Sequence, residues 1–452
     1  MGVLKRIILI LYTVSMLIFS LLSSLFLLPA NLSFAATTTL NSLDQTVIQN
    51  AINAASDGDT IVLPPGSATW TTLTANTPAI KISNKSISLI GSGQGITNIT
   101  NNTNTGWEEN AILIKNTQNK PFRISGMTIT QSASKITDGI LFFEMNNSGS
   151  TKVKGFRVDH ITFNYTDGGV FKVFGLAYGV VDNCTFNANP ATNCHAFSLT
   201  GKTSEDTLSG DISWSNALSL GSDDAFYIEN CTFNYTNDHG LILDADEGAR
   251  VVFRYNTATN ARIGTHGHDG SYQHRGVLSY EIYENIFIAN ATTLYTAIAL
   301  RGGTGVIYKN TLTTANGGVF NAGIILYNYC TCPNVFDCSA WPECINYPCP
   351  DQVGWGPTGG GGESSYPLYI WENNYAGIEL SGRVYVNDTN CSEISEIIKE
   401  NRDYYNNIQM SGYTPYTYPH PLRGTNKGAT IINTVGGLNA IDIVGGLNVI
   451  NQ

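Results

Sequence analysis

Charge is scarce in this chain. Only 13% of its 452 residues are charged, and acids outnumber bases by 35 to 24. No basic patch with interleaved aromatics occurs, which argues against a nucleic-acid partner. A net charge of −11 also gives no general attraction to polyanions, so an acidic ligand would need a local basic cleft or a bridging cation. Helical periodicity is nearly missing, and no apolar run after residue 35 is long enough to span a bilayer. Apolar residues are not in deficit, and at 42% they exclude disorder. What abounds is Gly (45 residues), with Asn and Thr, the turn and ladder residues of a β-solenoid.

The exception to the apolar shortage is the N-terminus. Lys5 and Arg6 precede an apolar run from Ile7 to Ala30, and Ser33-Phe34-Ala35 offers a small-x-small cleavage site. Residues 1–35 read as a signal peptide, which predicts a secreted or cell-surface protein. The run is long enough to act as an anchor if it is retained, and otherwise no membrane contact is expected. Removing it takes the net charge from −11 to −13, because Lys5 and Arg6 go with it. Nine cysteines agree with an oxidising compartment. Cys330, Cys332, Cys338, Cys344 and Cys349 crowd one segment at spacings that fit no common zinc site, so disulfides are expected there.

One short phrase recurs. Ile161-Thr162-Phe163, Cys184-Thr185-Phe186 and Cys231-Thr232-Phe233 are followed in the same column by Asn256, Asn285, Asn310 and Asn373. The steps are 23, 47, 25, 29, 25 and 63 residues, that is, one coil, two coils, or one coil with a long insertion. A period near 25 built of strand residues predicts an all-β fold, a right-handed single-stranded parallel β-helix. An exposed terminal rung would be an unpaired sheet edge. The amphipathic stretch Ser42–Ala55, with Ser42 as cap, is therefore expected to plug the N-terminal end. The resulting organisation is cap and first strand over 36–78, and β-helix over 79–390 with a disulfide-stapled insertion at 327–366. A helix and wrapping segment follow over 391–427, then a tail over 428–452. The Asn column is expected to form an inward ladder at one corner, with Cys184 and Cys231 as buried thiols.

The same ruler places titratable residues. Asp244 lies 13 residues after Cys231, and Asp269 lies 13 after Asn256, so the two carboxylates are expected on adjacent rungs about 4.8 Å apart. His239, Asp246, His266 and His268 become their neighbours, with Arg250, Arg275 and Arg301 close in sequence. Stacked carboxylates raise one pKa or recruit a cation. Asp244, Asp246 and Asp269 form an oxygen-ligand set of the kind that takes Ca²⁺. The same pair could serve as acid and base for glycoside hydrolysis. A lyase would need a base for the proton beside a uronate carboxylate, and a positive group for the enolate. Turn-forming Asp, Asn and His are also common in solenoid loops for purely structural reasons. Gly221-Ser222-Asp223-Asp224 reads as such a turn.

The chain resembles secreted right-handed β-helix proteins of the pectate-lyase-like superfamily. The likeness rests on Tyr227-Ile228-Glu229-Asn230, Gly248-Ala249-Arg250, Phe253-Arg254-Tyr255-Asn256-Thr257, His266-Gly267, Arg275-Gly276, Tyr280-Glu281-Ile282-Tyr283 and Arg301-Gly302-Gly303-Thr304-Gly305. It continues through Tyr347-Pro348-Cys349, Asn401-Arg402-Asp403-Tyr404-Tyr405 and the segment from Tyr413 to Pro421. It implies an extracellular polysaccharide, uronate-containing in the lyases of that group, as partner. The catalytic set is then expected among Asp244, His266, His268, Asp269 and Arg275. Substrate contacts are expected from His239, Arg250, Arg301, Trp341 and Trp355. Three functions stay open at this point: a metal-assisted polysaccharide lyase, a glycoside hydrolase, and a non-catalytic adhesin or envelope component.

Overall fold

Each copy of the Thr-Phe phrase is a strand, and the copies lie in parallel register. Thr162 and Phe163 pair with Thr185 and Phe186, which pair with Thr232 and Phe233 on the next rung. Their Phe rings point inward and stack near-parallel, with centroids 5.1 and 4.7 Å apart. Burying each ring contributes about 2 kcal/mol, so the period is held by its core. The computed structural model describes residues 2, 35–104, 106, 108–132, 139–145, 152–190, 194–268, 274–328, 347–360, 362–388 and 394–424.

Stacked coils make a parallel β-helix. One wall is a ten-stranded parallel sheet from Ile80–Ser83 to Val384–Val386. The other two walls belong to a twenty-stranded sheet, in which the long strands Arg123–Gln131 and Val153–Tyr165 each run through both. The described pairings are parallel apart from the hairpin Trp355–Gly359/Gly362–Ser365. No helix of the described residues is long and apolar enough to cross a membrane.

The sharp corner between the two walls of the larger sheet explains the Asn column. The residue before it is left-handed in six successive rungs: Asn183, Asn230, Tyr255, Glu284, Lys309 and Glu372 have φ between 52° (Asn183) and 57° (Tyr255). That conformation costs a non-glycine residue about 1–2 kcal/mol. The ladder offsets it. The Asn256 side chain donates to Asn285 Oδ1 (3.1 Å), Asn285 to Asn310 Oδ1 (2.9 Å) and Asn310 to Asn373 Oδ1 (2.9 Å). Each Oδ1 also accepts the backbone N–H of the rung before. Cys184 and Cys231 continue the column as buried free thiols that donate to backbone carbonyls. Cys194 is likewise a buried free thiol in the core.

Several details differ from expectation. The cap helix is Gln45–Ala54, and Asp44 is its N-cap, accepting from Thr46 and Val47 N–H. A carboxylate outcompetes the Ser42 hydroxyl, which instead accepts from Asp44 N–H at 3.1 Å. The buried face is Gln45, Ile48 and Ile52, and Val47 faces out. The second helix shrinks to Ile394–Ile397, followed by left-handed Asn401 and by Asp403, whose carboxylate takes the Lys399 N–H. Tyr404–Asn406 is a further rung strand on Leu368–Ile370, not part of the wrap. Most of the 1–35 leader, Cys330, Cys332, Cys338, Cys344, Cys391 and the 428–452 tail lie outside the described residues.

The wrapping segment covers a wall whose outward column is Asp159, Asp182, Glu229, Arg254, Tyr283, Tyr308 and Trp371. Arg254 is fully buried. It pairs with Glu229 (2.7 Å) and donates to Tyr283 Oη and to the carbonyls of Tyr416 and Thr417. Arg423 returns from the wrap to the same Glu229 at 2.8 Å.

Candidate functional site

Alternation along one strand of the ten-stranded sheet builds the site. In Gly240–Asp246, Ala245 points into the core, so Asp244 and Asp246 both point out. On one side lies Cys194–Thr200, with Ser198 opposite Asp244 and Thr200 opposite Asp246. On the other lies Arg262–Thr265, where Gly264 stands opposite Asp244 and offers no side chain to cover it. His266 continues that strand, its N–H donating to Ala245 O at 2.7 Å.

The imidazoles converge on the two carboxylates. His266 Nε2 lies 2.8 Å from Asp244 Oδ1, and His195 Nε2 lies 3.7 Å from Asp244 Oδ2. Asp246 faces His274 Nδ1 at 3.5 Å and His266 Nδ1 at 3.9 Å. His266 and Asp244 keep 27% and 22% of their side-chain surface in solvent, so the group is accessible. Burial pushes the Asp244 carboxyl up, but His266, His195 and Arg301 outweigh it and bring it down to about 2. Burial lowers His195, with Asp244 opposing and His266 assisting. Asp244 is thus ionised and His195 neutral at pH 7. Arg301 is anchored through its Nε to Thr265 O at 2.7 Å.

Close backbone packing positions this corner. A Cβ on Gly267 would come within 2.2 Å of Arg301 O, and one on Gly276 or Gly302 within 2.8 Å of Gly267 Cα. Only glycines allow these three turns to nest, which brings His266 and Arg301 onto neighbouring rungs.

The other expected site residues separate from the cluster. Arg275 turns away and is buried, pairing with Asp351 (2.6 Å) and Glu363 (2.7 Å) and lying 4.3 Å over the Trp214 ring. His268 is buried beside the same Asp351, at 3.5 Å. This network ties the hairpin to the coil. Burial raises Asp351, but His268 and Arg275 hold it well below the usual carboxylate range. Burial, then the Asp351 charge, pushes Glu363 up to about 8 against the opposing Arg275. Arg250 is also buried, and its guanidinium binds the carbonyls of Ser213, Asn216, Ala217 and Leu218, stapling a loop. His239 is exposed five residues before Asp244, about 16 Å along an extended strand. Trp355 sits in the hairpin, edge-on to Tyr347 at 6.0 Å. Asp223 and Asp224 pair with Lys154 and Lys152. Asp269 and Trp341 lie outside the described residues.

His195 was not among the expected residues. It lies one rung earlier than Asp244, and the loops between the phrase and the ten-stranded sheet differ in length, so its offset hid it. Asp351 and Glu363 come from the insertion, where no ruler applies. Among the described residues no group of three or more His, Cys, Asp or Glu is arranged to hold a metal ion. Asp244 and Asp246 face imidazoles, not the all-oxygen cage that Ca²⁺ takes.

No family model and no curated protein matches the chain. Among solved structures, it is similar to the A-modules of two Azotobacter vinelandii mannuronan C-5 epimerases. For AlgE4 the identity is 12%, covering 76% of this chain and 96% of that one, with a TM-score of 0.33. For AlgE6 the identity is 12%, the coverage 82% and 96%, and the TM-score 0.35. It is also similar to the catalytic domain of a GH87 α-1,3-glucanase in complex with nigerose, at 10% identity, 84% and 69% coverage and a TM-score of 0.26. These likenesses are too distant to inform the chemistry of the site.

Proposed function

We propose that the cluster around Asp244 is an acid–base centre that removes the proton beside the carboxylate of a uronate residue in an extracellular polysaccharide. The observation that carries this reading is the convergence of His195 and His266, at 3.7 and 2.8 Å from the two oxygens of one carboxylate on a solvent-facing wall, with burial favouring the neutral form of His195. A neutral imidazole is a suitable base near pH 7, and a paired imidazole can return a proton. The Arg301 charge favours the enolate that forms between those steps. Loss of the C4 oxygen from that enolate gives elimination, and reprotonation gives epimerisation. Hydrolysis fits less well, because a carboxyl held near 2 cannot act as a general acid. Residues 1–35 serve as the export signal in this reading.

The test is a screen of the purified protein on uronate polymers in D₂O. It follows the ultraviolet absorbance of an unsaturated product and C5 deuterium by NMR. Elimination or C5 exchange that disappears in His195→Gln is the expected result. Neither signal on any uronate polymer would leave the cluster without the proposed chemistry, and would favour a surface-spacer role for the solenoid.

A further inference from the structure

A second surface of the coil has a different character. On the wall that follows the Asn corner, each strand shows two outward residues to solvent. The first forms a column of Thr128, Thr162, Thr185, Thr232 and Thr257. The second forms a column of Thr130, Asn164, Asn187, Asn234 and Thr259. None of these ten side chains carries charge. Along the second column runs an open groove of roughly 450 Å³, whose far rim includes Thr166, Asn189 and Thr236. Among the described residues that line it, the one ionisable group is the Tyr165 phenol, which is buried, bonded to Tyr235 and raised well above its ordinary pKa.

The amides in the groove are already oriented. The Asn164 side chain donates to Thr130 Oγ1 (3.1 Å), Asn187 to Asn164 Oδ1 (2.9 Å) and Asn234 to Asn187 Oδ1 (3.0 Å). Each bond uses one of the two amide hydrogens and one oxygen lone pair. Every Asn rung can therefore still offer a donor and an acceptor to solvent or to a ligand. The offer repeats about every 4.8 Å over three rungs, a run of about 10 Å. Because the rotamers are fixed before binding, little side-chain entropy is left to lose.

We propose that this groove holds an extended, uncharged polyhydroxyl chain: a neutral glycan laid parallel to the coil axis. Regularly spaced donor–acceptor pairs match a polymer whose hydroxyls each donate and accept. The described residues of the groove offer an acidic polymer no cation, and the net charge of the protein is negative besides. Among the described residues no aromatic platform faces the groove, so binding rests on repeated hydrogen bonds and is weak per rung. The surface lies on a different wall from the Asp244 cluster, and the proposal does not depend on the chemistry proposed there.

Affinity electrophoresis in native gels containing a glucan, a mannan, a galactan, a xylan or a polyuronate tests it. The full chain is expected to be retarded by at least one neutral polymer. Removing two oriented amides in Asn187→Ala/Asn234→Ala should weaken that retardation about tenfold. If the double variant melts early, Thr236→Tyr, which fills the groove from its exposed rim, should give the same loss. His195→Gln should bind like the parent, so failure of the groove and failure of the acid–base centre are distinguishable. The proposal is overturned if no neutral polymer retards the chain, if only the polyuronate does, or if a folded groove variant is retarded like the parent.

Discussion

Replacing Asn285 by Ala should open the coil at one rung, and the size of the effect follows from its bonds. The Asn285 amide donates to the carbonyls of Phe253 (2.8 Å) and Tyr283 (3.0 Å) and to Asn310 Oδ1 (2.9 Å). Its oxygen accepts the Asn256 backbone N–H (2.9 Å) and side-chain N–H (3.1 Å). Some partners keep a second bond. Asn310 Oδ1 still accepts the Asn285 backbone N–H, and the Asn256 amide still donates to Ile228 O. The Asn256 backbone N–H loses the bond described here, and the Phe253 and Tyr283 carbonyls each lose one donor. Asn285 and Asn256 are each only 1% exposed, so water does not readily replace those bonds. An orphaned buried N–H costs about 1–3 kcal/mol and each further lost hydrogen bond about 1 kcal/mol, which puts the variant about 4 kcal/mol below the parent. The left-handed Glu284 (φ 56°) loses its support in the same step. Amide exchange is the direct assay, because a solenoid can open locally without unfolding. Exchange at Asn256 and its rung neighbours should accelerate by about a thousandfold while the Ile124 rung, far along the coil, is unchanged. Acceleration of less than about fivefold at Asn256 would refute the view that the ladder holds the corner.

Three other outcomes can be checked. His266→Asn should cut any elimination or C5 exchange by about a hundredfold or more while lowering the melting temperature by only a few degrees, read by product assay and calorimetry. Glu363 has a folded pKa raised from 4.5 to about 8, so its contribution to stability is full below 4.5 and is lost as pH rises toward 8. Glu363→Gln should accordingly flatten the decline in melting temperature between pH 5 and 8, and an unchanged slope would mean the carboxyl is ionised throughout. Arg254→Met strands Glu229 with fewer partners and frees the carbonyls of Tyr416 and Thr417. It should cost about 3–5 kcal/mol and expose the segment between Tyr413 and Arg423 to limited proteolysis. Protection equal to the parent's would mean the strap is held by its aromatics alone.

The coil was legible because it is one-dimensional. A rung that must stack its Phe163, Phe186 and Phe233 rings and join its Asn256, Asn285 and Asn310 amides has to repeat at a near-constant interval, and that interval is written in the chain. Neighbouring rungs also share a face, so Asp244, Asp246 and His266 could be grouped before any geometry was known. The rest depended on where loops return. Arg250 and Arg275 lie in the same two coils as Asp244, yet loop carbonyls at 213–218 and the carboxylates of Asp351 and Glu363 draw both into the interior. Asp351 and Glu363 are 76 and 88 residues away from Arg275. Arg254, prominent in sequence, is a strap anchor because residues 416 and 417 come back across its wall. Sequence determined the scaffold and its period, since both are set by contacts between adjacent repeats. Tertiary structure alone decided which charges face water, since that is set by segments of no fixed length folding back over the coil.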